Sequence, residues 1–150
     1  MTTTSPELGK PAAIRLLLVD VHAISRESSR LLLDTIAGLE VVGETSENRE
    51  ALELAARFHP DVAIVSMRVD GSTGPGTARD ILRQHPDIKV VFWTLFDDQE
   101  YVRAAFAAGA SAYVLKQDPS QEIEVAIERA LRGQTYLSTS LQHLTVAGRK

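Results

Sequence analysis

Short, almost unbroken apolar runs alternate along the chain with longer stretches in which apolar residues recur every three or four positions. The runs are Ile14–Val19 (IRLLLV), 39–45 (LEVVGET), 61–66 (DVAIVS), 88–94 (IKVVFWT) and 111–115 (SAYVL), and they read as strands. The intervening stretches read as helices. Residues 23–37 place Ile24, Leu31, Leu32 and Ile36 near helical spacing, and Asn48 caps a second helix carrying Leu52, Ala55, Ala56 and Phe58. A third runs through Ala78, Ile81 and Leu82 and stops before Pro86. The fourth, QEYVRAAFAAG, is capped by Asp97 or Asp98 and ended by Gly109. The last has Asp118 as N-cap, Pro119 at its first position and Gly133 at its close. Its Ile123, Ala126, Ile127, Ala130 and Leu131 share one face.

Five strands alternating with five helices predict an α/β fold, a parallel sheet covered on both faces. Right-handed crossovers make it doubly wound, with a crevice at the C-terminal ends of the strands. One domain is expected over residues 13–133. A flexible lead-in, residues 1–12, precedes it, and a weakly patterned tail or linker follows at residues 134–150. The crevice rule selects Asp20, Ser66, Thr94, Lys116 and the loop after Ser66, so that an acid, two hydroxyls and a lysine converge.

Composition narrows the function classes. No cysteine is present, which excludes a disulfide framework and a thiolate zinc site. The apolar runs are far shorter than the roughly 20 residues of a membrane span, and the start lacks the apolar core of a signal peptide, so cytoplasmic residence is expected. A net charge of −4 gives no reason to expect direct nucleic-acid binding.

From about Ile14 to Leu137 the chain resembles the receiver domain of bacterial two-component response regulators. The segments LLLVDVHAISRE, VVGETSENREALELAARFHPDV, TLFDDQEYVRAAFAAGASAYVLK and RALRGQTYLS carry the likeness and are closest to NarL/FixJ-type receivers. The resemblance implies a flavodoxin-like (CheY-like) sheet of five strands in the order 2-1-3-4-5. In that family an aspartate ending the third strand accepts a phosphoryl group, and two acids ending the first strand help bind Mg²⁺. A hydroxyl and a lysine, on the fourth and fifth strands, hold the phosphoryl oxygens, and an aromatic residue three before the lysine changes rotamer.

Position by position, Asp20 matches the first acid, Thr94 the hydroxyl, Lys116 the lysine and Tyr113 the switch aromatic. The second acid is replaced by Val21 and the phospho-acceptor by Ser66. Mg²⁺ requires octahedral oxygen donors, usually including carboxylates, and a valine offers none. The usual pocket carries a formal charge of about −2, whereas Asp20 against Lys116 sums to about zero. A serine hydroxyl is a weak nucleophile without a neighbouring base.

The resemblance therefore implies a non-enzymatic pseudo-receiver that needs no cofactor, binds Mg²⁺ weakly or not at all, and acts through a protein partner or a homodimer contact over residues 97–132. NarL/FixJ-type proteins continue into a DNA-binding helix-turn-helix, and this chain stops where that linker would begin. It is then either a stand-alone receiver or the regulatory part of a LuxR-type transcription factor.

Other readings are weaker. Asp70 lies in an Asp-Gly turn, too far along the loop to replace the acceptor. His22 reads as an exposed loop residue rather than a base for Ser66. The stretch LLLVDVHAIS superficially resembles the DxD motif of haloacid-dehalogenase phosphatases, but His22 takes the second aspartate's place and Asp97 and Asp98 precede Lys116 instead of following it. A small-molecule-regulated module is the remaining alternative, with Val21, Ser66, the DGSTGPG loop, Thr94 and Trp93 rimming a crevice for a neutral ligand.

Overall fold

The computed structural model describes residues 12–144. Six parallel strands form the main sheet in the order β2-β1-β3-β6-β7-β8: β1 (Ile14–Val19), β2 (Leu39–Thr45), β3 (Val62–Val65), β6 (Lys89–Thr94), β7 (Ala112–Leu115) and β8 (Tyr136–Leu137). The first five positions reproduce the expected 2-1-3-4-5 order. A two-residue hairpin, β4 (Arg68–Val69) with β5 (Ser72–Thr73), is interposed in the loop after β3. Helices α1 (Ala23–Asp34), α2 (Asn48–Phe58), α3 (Gly74–Gln84), α4 (Gln99–Ala107) and α5 (Gln121–Leu131) cover both faces.

The strands read as continuous apolar runs because alternate residues feed two cores. Leu17, Val19, Ala63, Val65, Phe92 and Tyr113 pack in one layer with residues of α2, α3 and α4. Leu16, Leu18, Ile64, Val91, Trp93 and Val114 pack in the other with residues of α1 and α5. No helix among the described residues is long and apolar enough to cross a membrane.

Three expectations need correction. The first helix does not bury the face expected from Ile24 and Leu31, which are 81% and 53% exposed. Its inward stripe is Ser29 and Leu33, flanked by the partly buried Leu32 and Ile36. Three consecutive leucines, 31–33, make more than one face look apolar, so spacing alone could not choose between them. The caps also differ. Glu47, not Asn48, caps α2 by accepting the Glu50 amide at 2.8 Å, and Asn48 Oδ1 instead accepts the Thr77 hydroxyl of α3 at 2.6 Å.

The third correction concerns the end of the domain. Tyr136 and Leu137 pair with Ala112 and Tyr113 as a sixth parallel strand, followed by a 3₁₀ turn at Thr139–Leu141. Leu137 and Leu141 are both 2% exposed, so the packed unit passes the boundary expected at residue 133. Two residues are too few to show a period, and the strand forms because the free edge of β7 offers it hydrogen bonds. The expected lead-in at residues 1–12 lies almost wholly outside the described residues, as does the end of the tail, residues 145–150.

Asp118 is part of the same rearrangement. The helix begins at Gln121, with Ser120 before it, and the Asp118 carboxylate leaves the capping role to hold the C-terminal segment. It accepts the hydroxyls of Ser138 and Ser140, and the Ser140 amide at 3.1 Å. Glu122 Oε1 accepts the Tyr136 hydroxyl at 2.7 Å and the Thr139 amide at 2.9 Å. Desolvation opposes ionisation of both carboxyls, but these hydrogen bonds together outweigh it and hold both below the usual carboxylate range.

A depressed native pKa stabilises the fold above the unfolded value and loses that contribution as pH falls through the native one. Exchange of the Thr139 and Ser140 amides, corrected for the intrinsic rate, is therefore expected to accelerate below about pH 4 before the central strands open. Uniform acceleration across the whole sheet would show that these two carboxylates do not clamp the segment.

Candidate functional site

The C-terminal ends of β1, β3, β6 and β7 meet at one rim. Asp20 follows β1, and its amide donates to the Thr45 carbonyl at 3.0 Å. Ser66 follows β3 and donates its amide to the Val19 carbonyl at 2.9 Å. Thr94 ends β6, and its carbonyl accepts the Lys116 amide at 2.8 Å. Asp20 and Thr94 are each 2% exposed and Ser66 8%, so the rim is nearly closed to water.

The Asp20 carboxylate is fully engaged. Oδ1 accepts the His22 amide at 3.0 Å, while Oδ2 accepts the Ser25 hydroxyl at 2.9 Å and the Lys116 ammonium at 3.0 Å. Lys116 Nζ also donates to Ser25 Oγ at 2.6 Å, which closes a three-membered ring of side chains. The ammonium lies 5.6 Å from the centre of the Trp93 ring, a cation–π distance. Arg26 Nη1 binds the Asp20 carbonyl at 2.8 Å, and Arg26 and Arg30 both reach Glu44, at 3.3 and 2.8 Å.

Tyr113 points inward. Its ring stacks against Phe92 at 6.0 Å and its hydroxyl donates to the Phe96 carbonyl at 2.7 Å. Burial pushes the phenol well above its ordinary value, and the nearby Asp97, Asp98 and Tyr101 add to the rise. It is a neutral hydrogen-bond donor across the physiological range.

Of the positions picked out by the crevice rule, Asp20 and Lys116 are joined directly, with Ser66 and Thr94 at adjoining strand ends. Ser25 was not foreseen. It lies five residues after Asp20 on α1, and nothing in the sequence separates it from Ser28 and Ser29.

The crevice differs from expectation as well. A cleft of about 530 Å³ adjoins the rim, lined by Val21 and His22, the segment Met67–Asp70, and the aromatic pair Phe96 and Tyr101. Ser66, Thr94 and Trp93 are not on its wall, and Trp93 packs in the α1–α5 layer. The strand-end residues are drawn inward by the sheet, so the residues just beyond them make the surface.

Val21 has no side-chain oxygen, and the Asp20 carboxylate is paired with the Lys116 ammonium. Among the described residues no group of three or more His, Cys, Asp or Glu side chains is arranged to hold a metal.

The fold and this rim define a regulatory domain of the doubly wound α/β class. Residues 16–128 match the response regulator receiver domain, and the chain belongs to that family. It is 35% identical over 128 residues to the response regulator GacA of Pseudomonas viridiflava, which covers 85% of this chain and 60% of that protein. The transcriptional regulatory protein LiaR of Bacillus subtilis is 33% identical over 128 residues, with 85% of this chain and 61% of LiaR covered.

A two-component response regulator of the LuxR family from Aurantimonas superposes with a TM-score of 0.84 at 30% identity. The match covers 91% of this chain and 96% of that one. The chain thus spans about 60% of the length of the curated relatives it matches. These relatives are regulators, not enzymes, which removes the phosphatase reading of LLLVDVHAIS.

Proposed function

We propose that this receiver is not switched by phosphoryl transfer. In this reading Ser66 stands at the phospho-acceptor position and Val21 at that of the second metal-binding acid, so a cytoplasmic domain keeps the fold of a two-component receiver without its chemistry. The observation that carries the reading is the closed Asp20–Ser25–Lys116 ring. The ammonium that would stabilise an incoming phosphoryl group is already paired with Asp20, and among the described residues no cluster of acids forms with Asp20 to attract the metal.

Output then passes through protein contacts, either to a partner or to a second copy, over the face of residues 97–132. The relatives that are transcriptional regulators support a role as the regulatory part of a LuxR-type factor.

Incubation with acetyl phosphate and Mg²⁺ is expected to leave the intact mass unchanged. The double variant Val21→Asp, Ser66→Asp is expected to gain one phosphoryl group that hydroxylamine removes. A hydroxylamine-labile adduct on the unaltered protein would overturn the reading. A second reading, in which a small molecule biases the domain, is favoured by the cleft beside Val21.

A further inference from the structure

We propose that the cleft beside the rim binds a small planar aromatic anion, with Arg68 as the residue that selects the charge. The inference rests on the small-molecule reading of this domain and names the class of molecule. The cleft, about 530 Å³, lies within the roughly 300–1,000 Å³ of small-ligand sites.

Much of its lining is apolar. Val21, Met67 and Val69 contribute aliphatic surface, with Met67 and Val69 only 7% and 5% exposed. Phe96 and Tyr101 contribute aromatic surface, their rings 5.1 Å apart and inclined at 54°. A flat ring system can pack against both, because aromatic faces accept tilted and offset partners.

Charge complementarity decides the ligand's polar end. The Arg68 guanidinium lies 5.1 Å from the centre of the Phe96 ring, a cation–π distance, at the edge of the cleft. No carboxylate among the described residues lies within ion-pair distance of it. Its planar fork is suited to bidentate recognition of an anion. Asp70 also borders the cleft, and its carboxylate disfavours an anion bound on its side, so the charge selectivity rests on the ligand's acidic group lying at Arg68. The aromatic surface carries the cation, and a ligand stacked on that surface brings its acidic group to Arg68. An acid at position 21 would set a negative charge against such a ligand, whereas Val21 adds apolar surface.

The test uses two probes of similar shape, the anion 1-anilinonaphthalene-8-sulfonate and the uncharged N-phenyl-1-naphthylamine. The anion is expected to bind at a single saturable site, shifting amide resonances at Val21, Met67–Asp70, Phe96 and Tyr101. Arg68→Glu is expected to weaken the anion at least about tenfold while leaving the neutral probe within about twofold. Val21→Asp, which adds a carboxylate to the cleft lining, is expected to weaken the anion as well.

Shifts centred elsewhere, or equal loss of both probes in Arg68→Glu, would overturn the site or its charge selectivity. An anion affinity unchanged by both variants would do the same. None of these outcomes bears on phosphorylation, which the acetyl phosphate experiment decides separately. If the anion binds as expected but amide exchange across residues 97–132 does not change, the small-molecule switch fails while the site stands.

Discussion

Replacing Lys116 by methionine is expected to lower the unfolding free energy by about 3 kcal/mol, because it leaves a buried carboxylate without its cation. The Asp20 side chain is 3% exposed and that of Lys116 17%, so solvent screens little of their interaction at 3.0 Å. Methionine keeps most of the lysine stem and its packing near Trp93, so the loss reports the charge and not a cavity. The remaining donors, the Ser25 hydroxyl and the His22 amide, are dipoles and cannot replace an ammonium.

The double variant Asp20→Asn, Lys116→Met removes both charges and is expected to be more stable than the sum of the single losses predicts. Urea titration with an unchanged slope would measure both effects. A loss below about 1 kcal/mol for Lys116→Met, the range of exposed pairs, would show that the ring is not a structural ion pair.

Gly74→Ala is expected to cost about 3 kcal/mol, at the upper end of the usual range for overpacked sites. Gly74 opens α3, and the glycine is required there by close approach alone. A Cβ at this position would lie 2.2 Å from the Ser66 carbonyl oxygen, 2.8 Å from Met67 Cα and 2.9 Å from the Phe92 ring. The first two are backbone atoms at the end of β3, and they cannot yield without moving the connection that carries Met67 and Arg68. At Gly76 the nearest atom is the Ser72 hydroxyl at 2.5 Å, which can rotate away, and the Thr73 hydroxyl at 3.1 Å need give only a few tenths of an ångström while still capping α3. Gly76→Ala is therefore expected to cost less than half as much, and equal losses at the two sites would refute the packing argument. Thermal melts of the two variants side by side give the comparison.

Much of the architecture follows from local pattern. The runs at Ile14–Val19, Val62–Val65 and Lys89–Thr94 became central strands because a segment buried on both faces must be apolar over nearly all of its buried length. Their ends could be read as a rim because parallel strands all present the same end, which brought Asp20, Ser66, Thr94 and Lys116 together before any contact was known. Helix faces were less legible. Leu31, Leu32 and Leu33 satisfy several stripes, and the choice of Leu33 as the buried one came from docking against the sheet.

What the sequence determined by itself is the order of elements, the family and the chemical inventory of the rim, since these depend on residue type and spacing within each segment. Tertiary structure alone decided the partnerships. Lys116 meets Asp20 across 96 positions, Ser25 closes their ring, Asp118 gives up its helix cap for Ser138 and Ser140, and Tyr136–Leu137 completes the sheet. Arg68, Phe96 and Tyr101 line one cleft although they come from a short strand, a loop and a helix. A local period records which way a side chain points from its own element. Which distant side chain it meets is set only when the elements pack, because a buried charge or an open strand edge takes whichever partner the packing brings within reach.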